Sequence, residues 1–346
     1  MNRFQELKDI LDNQKYFKVI CGAGNEDPEE VKRISIIYTL AGAKGIDISA
    51  RPEIVQSCSE GIDYAFEIAD NLGITIGTRP FITVSVGMPG DHHVRKADIN
   101  LDTCINCDLC IPICPTDAIP KSLEVIHSKC IGCGFCSAAC PRDNVIDYFH
   151  DEKQLNKILP KCLEKGAENI ELHAGVANSE IIEKEWELIC NVNPNNFNSM
   201  CLDRLHLSNY LLEDRIEMAK GIAKDKLIIQ ADGYPMSGGE DTFNTTLQAI
   251  ATADVINKRF NKKLNKITKK YYYIKNTEAY ILLSGGTNSL TALLAKQTDV
   301  LFNGISIGSY ARKIIKDLVD SDSFYDDEII RNASLIAGKL VNGNIA

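Results

Sequence analysis

The chain has 346 residues, of which 45% are hydrophobic and 25% charged, with a net charge of −9. The length fits two or three average domains, or one large barrel carrying an insertion, and the acidic balance argues against general nucleic-acid binding. No apolar run approaches a membrane span, and Met1 to Lys15 lacks the apolar core of an export signal, so a soluble cytoplasmic protein is expected.

In chain order, the first β-branched run is K-V-I-C-G-A at 18–23. It is followed by a helical pattern from Pro28 to Leu40, with Asp27 as N-cap and Pro28 at the first helical position. Runs at 45–50 and 80–87 are the second and third expected strands.

Next comes the densest chemistry in the chain. C-I-N-C-D-L-C-I-P-I-C-P at 104–115 and C-I-G-C-G-F-C-S-A-A-C-P at 130–141 both read Cys-x2-Cys-x2-Cys-x3-Cys-Pro. This is the bacterial ferredoxin spacing for [4Fe–4S] clusters, in which the fourth cysteine of each run ligates the other cluster. The spacing therefore assigns Cys104, Cys107, Cys110 and Cys140 to one cluster, and Cys130, Cys133, Cys136 and Cys114 to the second. A zinc site would leave half of these thiols over, and a disulfide framework is not expected in a long chain without an export signal. The five remaining cysteines, Cys21, Cys58, Cys162, Cys190 and Cys201, are expected to be small core residues. His92 and His93, just before the first run, are expected to serve loop packing or hydrogen bonding rather than iron ligation.

Beyond the cysteines the alternation of strand and helix resumes. Strands are expected at 169–175, 199–203, 226–233, 280–287 and 301–308, the one at 199–203 being the weakest, with a helical pattern from Asp241 to Asn257 among the intervening stretches. Eight apolar runs spaced by helices suggest a (β/α)8 TIM-like barrel, a doubly wound open sheet being the main rival. The barrel would be split into residues 1–90 and 151–346, with a two-cluster ferredoxin-like insertion at 91–150 after the third strand. S-G-G-T-N after strand seven and G-S-Y-A-R after strand eight sit where such barrels hold phosphate. Gly285, Gly286, Gly308 and Ser309 are thus candidate backbone donors to a phosphate or flavin phosphate, with Arg312 as charge partner and ordinary turn glycine as the alternative. Asp47, Ser85, His173, Asp203 and Asp232 are expected at strand ends facing the insertion, His173 and Asp232 being the candidate catalytic groups. K-R-F-N-K-K-L-N-K-I-T-K-K-Y-Y-Y-I-K at 258–275 carries no acidic residue and reads as a solvated helix end, or as a docking patch for an acidic partner.

Several blocks together carry a resemblance: Y-F-K-V-I-C-G-A, Y-T-L-A-G-A-K-G-I-D, H-V-R-K-A, the two ferredoxin runs, I-E-L-H, A-D-G-Y-P-M-S-G, S-G-G-T-N and G-I-S-I-G-S-Y-A-R. In these, over nearly its whole length, the chain resembles the light-dependent period protein family of cyanobacteria. The resemblance implies an iron–sulfur protein that couples cellular redox state, and so light, to the circadian clock by associating with clock proteins. The 258–275 stretch departs from it as an expansion between strands six and seven. Two functions follow: a redox-sensing, electron-carrying regulator acting through contact with clock or other regulatory proteins and redox carriers, or a barrel oxidoreductase fed electrons by the clusters. They differ in whether the barrel mouth binds a small organic cofactor such as a flavin.

Overall fold

The computed structural model describes residues 2–22, 26–205, 207–264, 271–273 and 279–345. Its strands, in chain order, are β1 (Tyr16–Ile20), β2 (Gly45–Ser49), β3 (Phe81–Gly87), β4 (Ala97–Ile99), β5 (Ile146–Tyr148), β6 (Asn169–His173), β7 (Asn198–Leu202), β8 (Leu227–Asp232), β9 (Lys262–Leu264), β10 (Tyr271–Tyr273), β11 (Tyr280–Ser284) and β12 (Gly304–Ile307). Eight of them close into a barrel in the order β1-β12-β11-β8-β7-β6-β3-β2, and every pairing in it is parallel. All eight correspond to the runs read from the sequence, the one at 199–203 included. The reason lies in burial: each strand has helices on one side and the barrel interior on the other, so its sequence runs apolar rather than alternating.

Local signals also hold. The Asp27 carboxylate accepts from the N–H groups of Glu29 and Glu30 at 3.0 Å, with Pro28 opening the Pro28–Leu40 helix. Asp241 caps the Thr242–Ile256 helix in the same way. The Arg3–Asp12 helix plugs the end of the barrel where the strands begin. Its Leu7 and Leu11 pack with Tyr16, Phe81, Phe197 and Tyr280, while Arg3 lies 3.6 Å over the Phe81 ring and pairs with Glu168 at 2.6 Å. The opposite end, where the strands finish, forms the mouth.

The insertion leaves β3 and returns through the Glu152–Glu164 helix to β6. Antiparallel pairing of β4 with β5, continued by the Phe149 N–H to the Lys96 carbonyl at 2.9 Å, brings its two ends together. Its small core of Ile99, Ala118, Ile119, Leu123, Val145 and Tyr148 packs around cysteines. The basic stretch begins beside acids of this same chain, Lys258 with Asp254 at 2.6 Å and Arg259 with Glu213 at 3.3 Å, and continues into β9. Residues 265–270 and 274–275 of that stretch lie outside the described residues.

Candidate functional site

The insertion gathers its eight cysteines into two groups of four. Cys104, Cys107, Cys110 and Cys140 line one cavity, and Cys114, Cys130, Cys133 and Cys136 line another. Each group takes three sulfurs from one run and the fourth from the other, as crossed ferredoxin ligation requires. The backbone bends to permit this. Asn106 and Asp108 take left-handed conformations within the first run, and Gly132 and Gly134 do so in the second. A side chain at Gly132 would also strike the Arg95 carbonyl at 2.6 Å. Backbone N–H groups point at sulfur: Asn106 to Cys104 at 3.4 Å, Ala118 to Cys114 at 3.3 Å, Ala97 and Gly132 to Cys130 at 3.3 and 3.4 Å. Such donors stabilise thiolate rather than thiol, so the chemistry of both groups fits an iron–sulfur cluster. Neither His92 nor His93 lines either cavity.

The barrel mouth holds a cavity of about 130 Å3 lined by Gly285, Gly286, Gly308, Ser309, Arg312, His173 and Asp232. The two loops named from the sequence therefore meet at one space. Among the described residues, the N–H groups of Gly285, Gly286, Gly308 and Ser309 find no hydrogen-bond acceptor, and Arg312 Nε is buried without a partner. These are the donors an anion would use. Gly285 and Gly286 have φ of +63° and +69°, and a Cβ at Gly286 would sit 2.4 Å from Thr245 Oγ1. They are thus tied into packing against the neighbouring loop as well as open to the cavity.

Below the mouth runs a feature the sequence reading did not find. Lys18 of β1, 1% exposed, places Nζ 2.5 Å from Asp47 Oδ2 of β2 and 2.5 Å from Glu171 Oε2 of β6. The Ser85 hydroxyl donates to Asp47 at 2.5 Å, and the Ser199 hydroxyl and Cys201 thiol donate to Glu171 at 2.8 and 3.0 Å. Gln230 donates to the Cys201 sulfur at 2.9 Å and accepts from the Ser306 hydroxyl at 2.8 Å. Seven barrel strands thus contribute to one buried polar belt, whose Ser85, Glu171 and Cys201 form the cavity floor. Burial penalises every charge here. The two carboxylates nevertheless hold Lys18 protonated, and Lys18, with help from His173, holds Glu171 well below its ordinary value. Burial and then Glu171 push Asp47 up.

The structure moves several candidates from where they were expected. Asp47 lies in the belt rather than at the mouth, because it is the third residue of β2 and points inward beside Lys18. Asp203 does not line the cavity; its carboxylate packs where a side chain at Gly175 would sit. Asp232 does face the cavity, its two oxygens buried without hydrogen-bond partners, and burial together with the Glu171 and Asp203 charges drives its pKa well up. Of the five outlying cysteines, Cys21, Cys58 and Cys162 are buried in the apolar core and Cys190 packs against it half-buried. Cys201 instead belongs to the belt, its thiol held protonated by burial and by Glu171.

Comparison with known proteins bears on both regions. Residues 97–148 match the 4Fe-4S dicluster domain, the span clasped by β4 and β5. Residues 162–334, half of the chain, match the Light dependent period A C-terminal domain.

The chain belongs to the Light dependent period A C-terminal domain family.

The family match takes in β6 to β12, with His173, Asp232 and both glycine loops, whereas Lys18 and Asp47 come from outside its bounds. The barrel site is therefore assembled across the family boundary. A curated relative, "Light dependent period A" of Synechococcus elongatus, is 28% identical over 316 residues, covering 88% of this chain and 82% of its own length. Among solved structures, the YdjI aldolase from Escherichia coli K12 is 8% identical with a TM-score of 0.44, the match covering 97% of this chain and 92% of that one. A dihydrodipicolinate synthase from Oceanobacillus iheyensis is 7% identical with a TM-score of 0.41, covering 94% and 79%.

Proposed function

We propose that this chain is an electron-carrying, redox-sensing regulator. In this reading Cys104, Cys107, Cys110 and Cys140 hold one [4Fe–4S] cluster, and Cys114, Cys130, Cys133 and Cys136 hold the other. The observation that carries it is the exposure around the first group. Cys107 is exposed, and beside it Leu101, Ile105 and Leu109 are 49%, 52% and 51% exposed. An apolar rim around a sulfur site open to solvent fits a partner that docks transiently and exchanges electrons. Bound clusters supply one-electron chemistry at a potential set by charge, exposure and hydrogen bonds to sulfur. The chain's own part is to aim N–H groups at Cys104, Cys114 and Cys130, and the Tyr148 hydroxyl at Cys136, 3.0 Å away. The relative from Synechococcus elongatus bears a name tied to a light-dependent period, and we extend a regulatory output of that kind to this chain, through clock or other regulatory proteins in the cytoplasm. No helix among the described residues is long and apolar enough to cross a membrane. Anaerobic affinity capture at two poised potentials tests the reading. A partner set that changes with potential is expected; the same set at both, with the clusters shown to cycle, would sink it.

A second reading, an oxidoreductase, is favoured by the unpaired donors at the mouth. The cavity of about 130 Å3 has room for roughly four waters at about 30 Å3 each, which suits a small phosphorylated or carboxylated metabolite better than a flavin. A visible spectrum of anaerobically purified protein separates the ligands: flavin bands beside cluster absorption would reject the small-metabolite form of this reading.

A further inference from the structure

Where the insertion leaves the barrel, three side chains turn unpartnered atoms toward one another. Asp91 is 6% exposed, and its Oδ2 is buried without a hydrogen-bond partner, as are His93 Nδ1 and His173 Nδ1. His93 Nδ1 lies 3.3 Å from Asp91 Oδ1, His173 Nδ1 lies 3.5 Å from Asp91 Oδ2, and the three residues offer ligand atoms all within 4.8 Å of one another. Ligands held at about 2.0–2.1 Å from a tetrahedral ion lie about 3.3 Å apart, close to the 3.5 Å between His173 Nδ1 and Asp91 Oδ2, and His93 offers its ligand atom within 4.8 Å of the other two. We propose that Asp91, His93 and His173 bind a divalent first-row transition ion of the Zn2+ or Fe2+ class, separate from the clusters. Two imidazoles and one carboxylate on a single ion leave coordination positions open. His93 and His173 line the mouth cavity, so those positions face the anion donors of the glycine loops.

The surroundings are built for the placement. The His93 N–H holds Asp91 Oδ1 at 2.9 Å and leaves Oδ2 free to ligate. Gly87, the last residue of β3, pairs with His173 on β6, and a Cβ there would meet Asp91 Oδ2 at 2.8 Å. Only a residue without a side chain lets the carboxylate approach the strand end. Glu171 Oε1 lies 3.7 Å from His173 Nε2, where it can orient the ring from behind. Glu171, His173 and Cys201 form a second group with metal-ligand spacing, but Glu171 is already engaged by Lys18, Ser199 and Cys201, whereas the Asp91 group has its ligand atoms to spare.

The proposal does not rest on the regulator reading, and its test does not read partner binding. Anaerobically purified, cluster-loaded protein is incubated with Zn2+, desalted, and assayed for zinc, iron and sulfide and by X-ray absorption at the zinc edge. About one zinc per chain is expected, with a nitrogen and oxygen shell at about 2.0–2.1 Å. His93→Ala and Asp91→Asn should each weaken zinc binding tenfold or more with iron and sulfide unchanged, while His92→Ala retains it. Zinc in a sulfur shell at about 2.3 Å, which would place it among the cysteines, overturns the proposal. So does failure of the parent protein to keep zinc, or retention by both His93→Ala and Asp91→Asn. Should Asp91→Asn not fold, His93→Ala decides alone, since His93 lies in the neck of the insertion rather than in a barrel strand.

Discussion

In the insertion the atoms that matter are sulfurs spaced three or four residues apart on short loops. In the barrel they are an ammonium, carboxylates and imidazoles carried on strands far apart in sequence, Lys18 and Glu171 alone being separated by 153 residues. The insertion has a small core and depends on what its cysteines hold. The barrel has a large apolar core and carries inside it an ammonium, Lys18, paired with two carboxylates, Asp47 and Glu171. A site made by local spacing is announced by its sequence and fails one ligand at a time. A site made by topology is silent in sequence and fails as a network.

The largest effect that could break this contrast is loss of a whole cluster. Cys140→Ala should remove the iron associated with Cys104, Cys107 and Cys110, about half of the total, and leave the second cluster; Cys114→Ala should do the reverse. Electron paramagnetic resonance on the two variants distinguishes them. If each substitution disturbs only the cluster of its own run, the cross-over ligation is wrong. In neither variant should the far-ultraviolet circular dichroism of the barrel change.

Next in size is Lys18→Met. Removing one member of a buried ion network strands the others, at about 3–5 kcal/mol. Anaerobic chemical denaturation should show that loss with iron content intact. A variant as stable as the parent would mean that the belt is not a network.

The junction offers a pH test. Glu185, buried on the Ser179–Val192 helix, is pushed up from 4.5 to about 8 by burial, with Arg95 of the insertion's neck pulling the other way. The folded state therefore keeps a proton that the unfolded state releases. That contribution to stability is complete below about pH 4.5 and is lost as pH rises through about 8, at roughly 1.4 kcal/mol per unit. Glu185→Gln should flatten the profile. A parent whose melting temperature does not fall between pH 5 and 8, relative to this variant, would show that Glu185 titrates normally.

The smallest expected effect is Gly286→Ala. At φ +69°, with Thr245 Oγ1 2.4 Å from the new Cβ, it should cost about 1–2 kcal/mol and weaken phosphate binding at the mouth. Calorimetry with inorganic phosphate would measure the second part. Unchanged affinity would reduce Gly285 and Gly286 to turn residues.

The sequence exposed the parts whose physics is local. Cysteine spacing, the Asp27 cap and eight apolar runs each follow from a few neighbouring residues. Lys18 and Glu171 sit inside such runs, in K-V-I and I-E-L-H, where a single polar residue resembles an ordinary interruption. Only barrel closure turns both to one interior. Asp47 was visible, but its depth was not: one turn of the pleat decides whether a strand residue reaches the mouth or the belt. Asp91 stood beside two histidines already noted, yet its partner His173 comes from the far side of the insertion, and only the pairing of Gly87 with His173 brings them together.

The β4–β5 clasp has a consequence for how the protein comes to be made. With its ends pinned together, the insertion enters the barrel as a short connection; were the clasp to open, the same segment would be a long slack loop. Closing a loop depends only logarithmically on its length, so shortening it roughly threefold is worth about 1 kcal/mol. The barrel's fold is therefore almost indifferent to iron supply. Protein made without iron should therefore keep the far-ultraviolet circular dichroism of the barrel while its insertion stands unloaded.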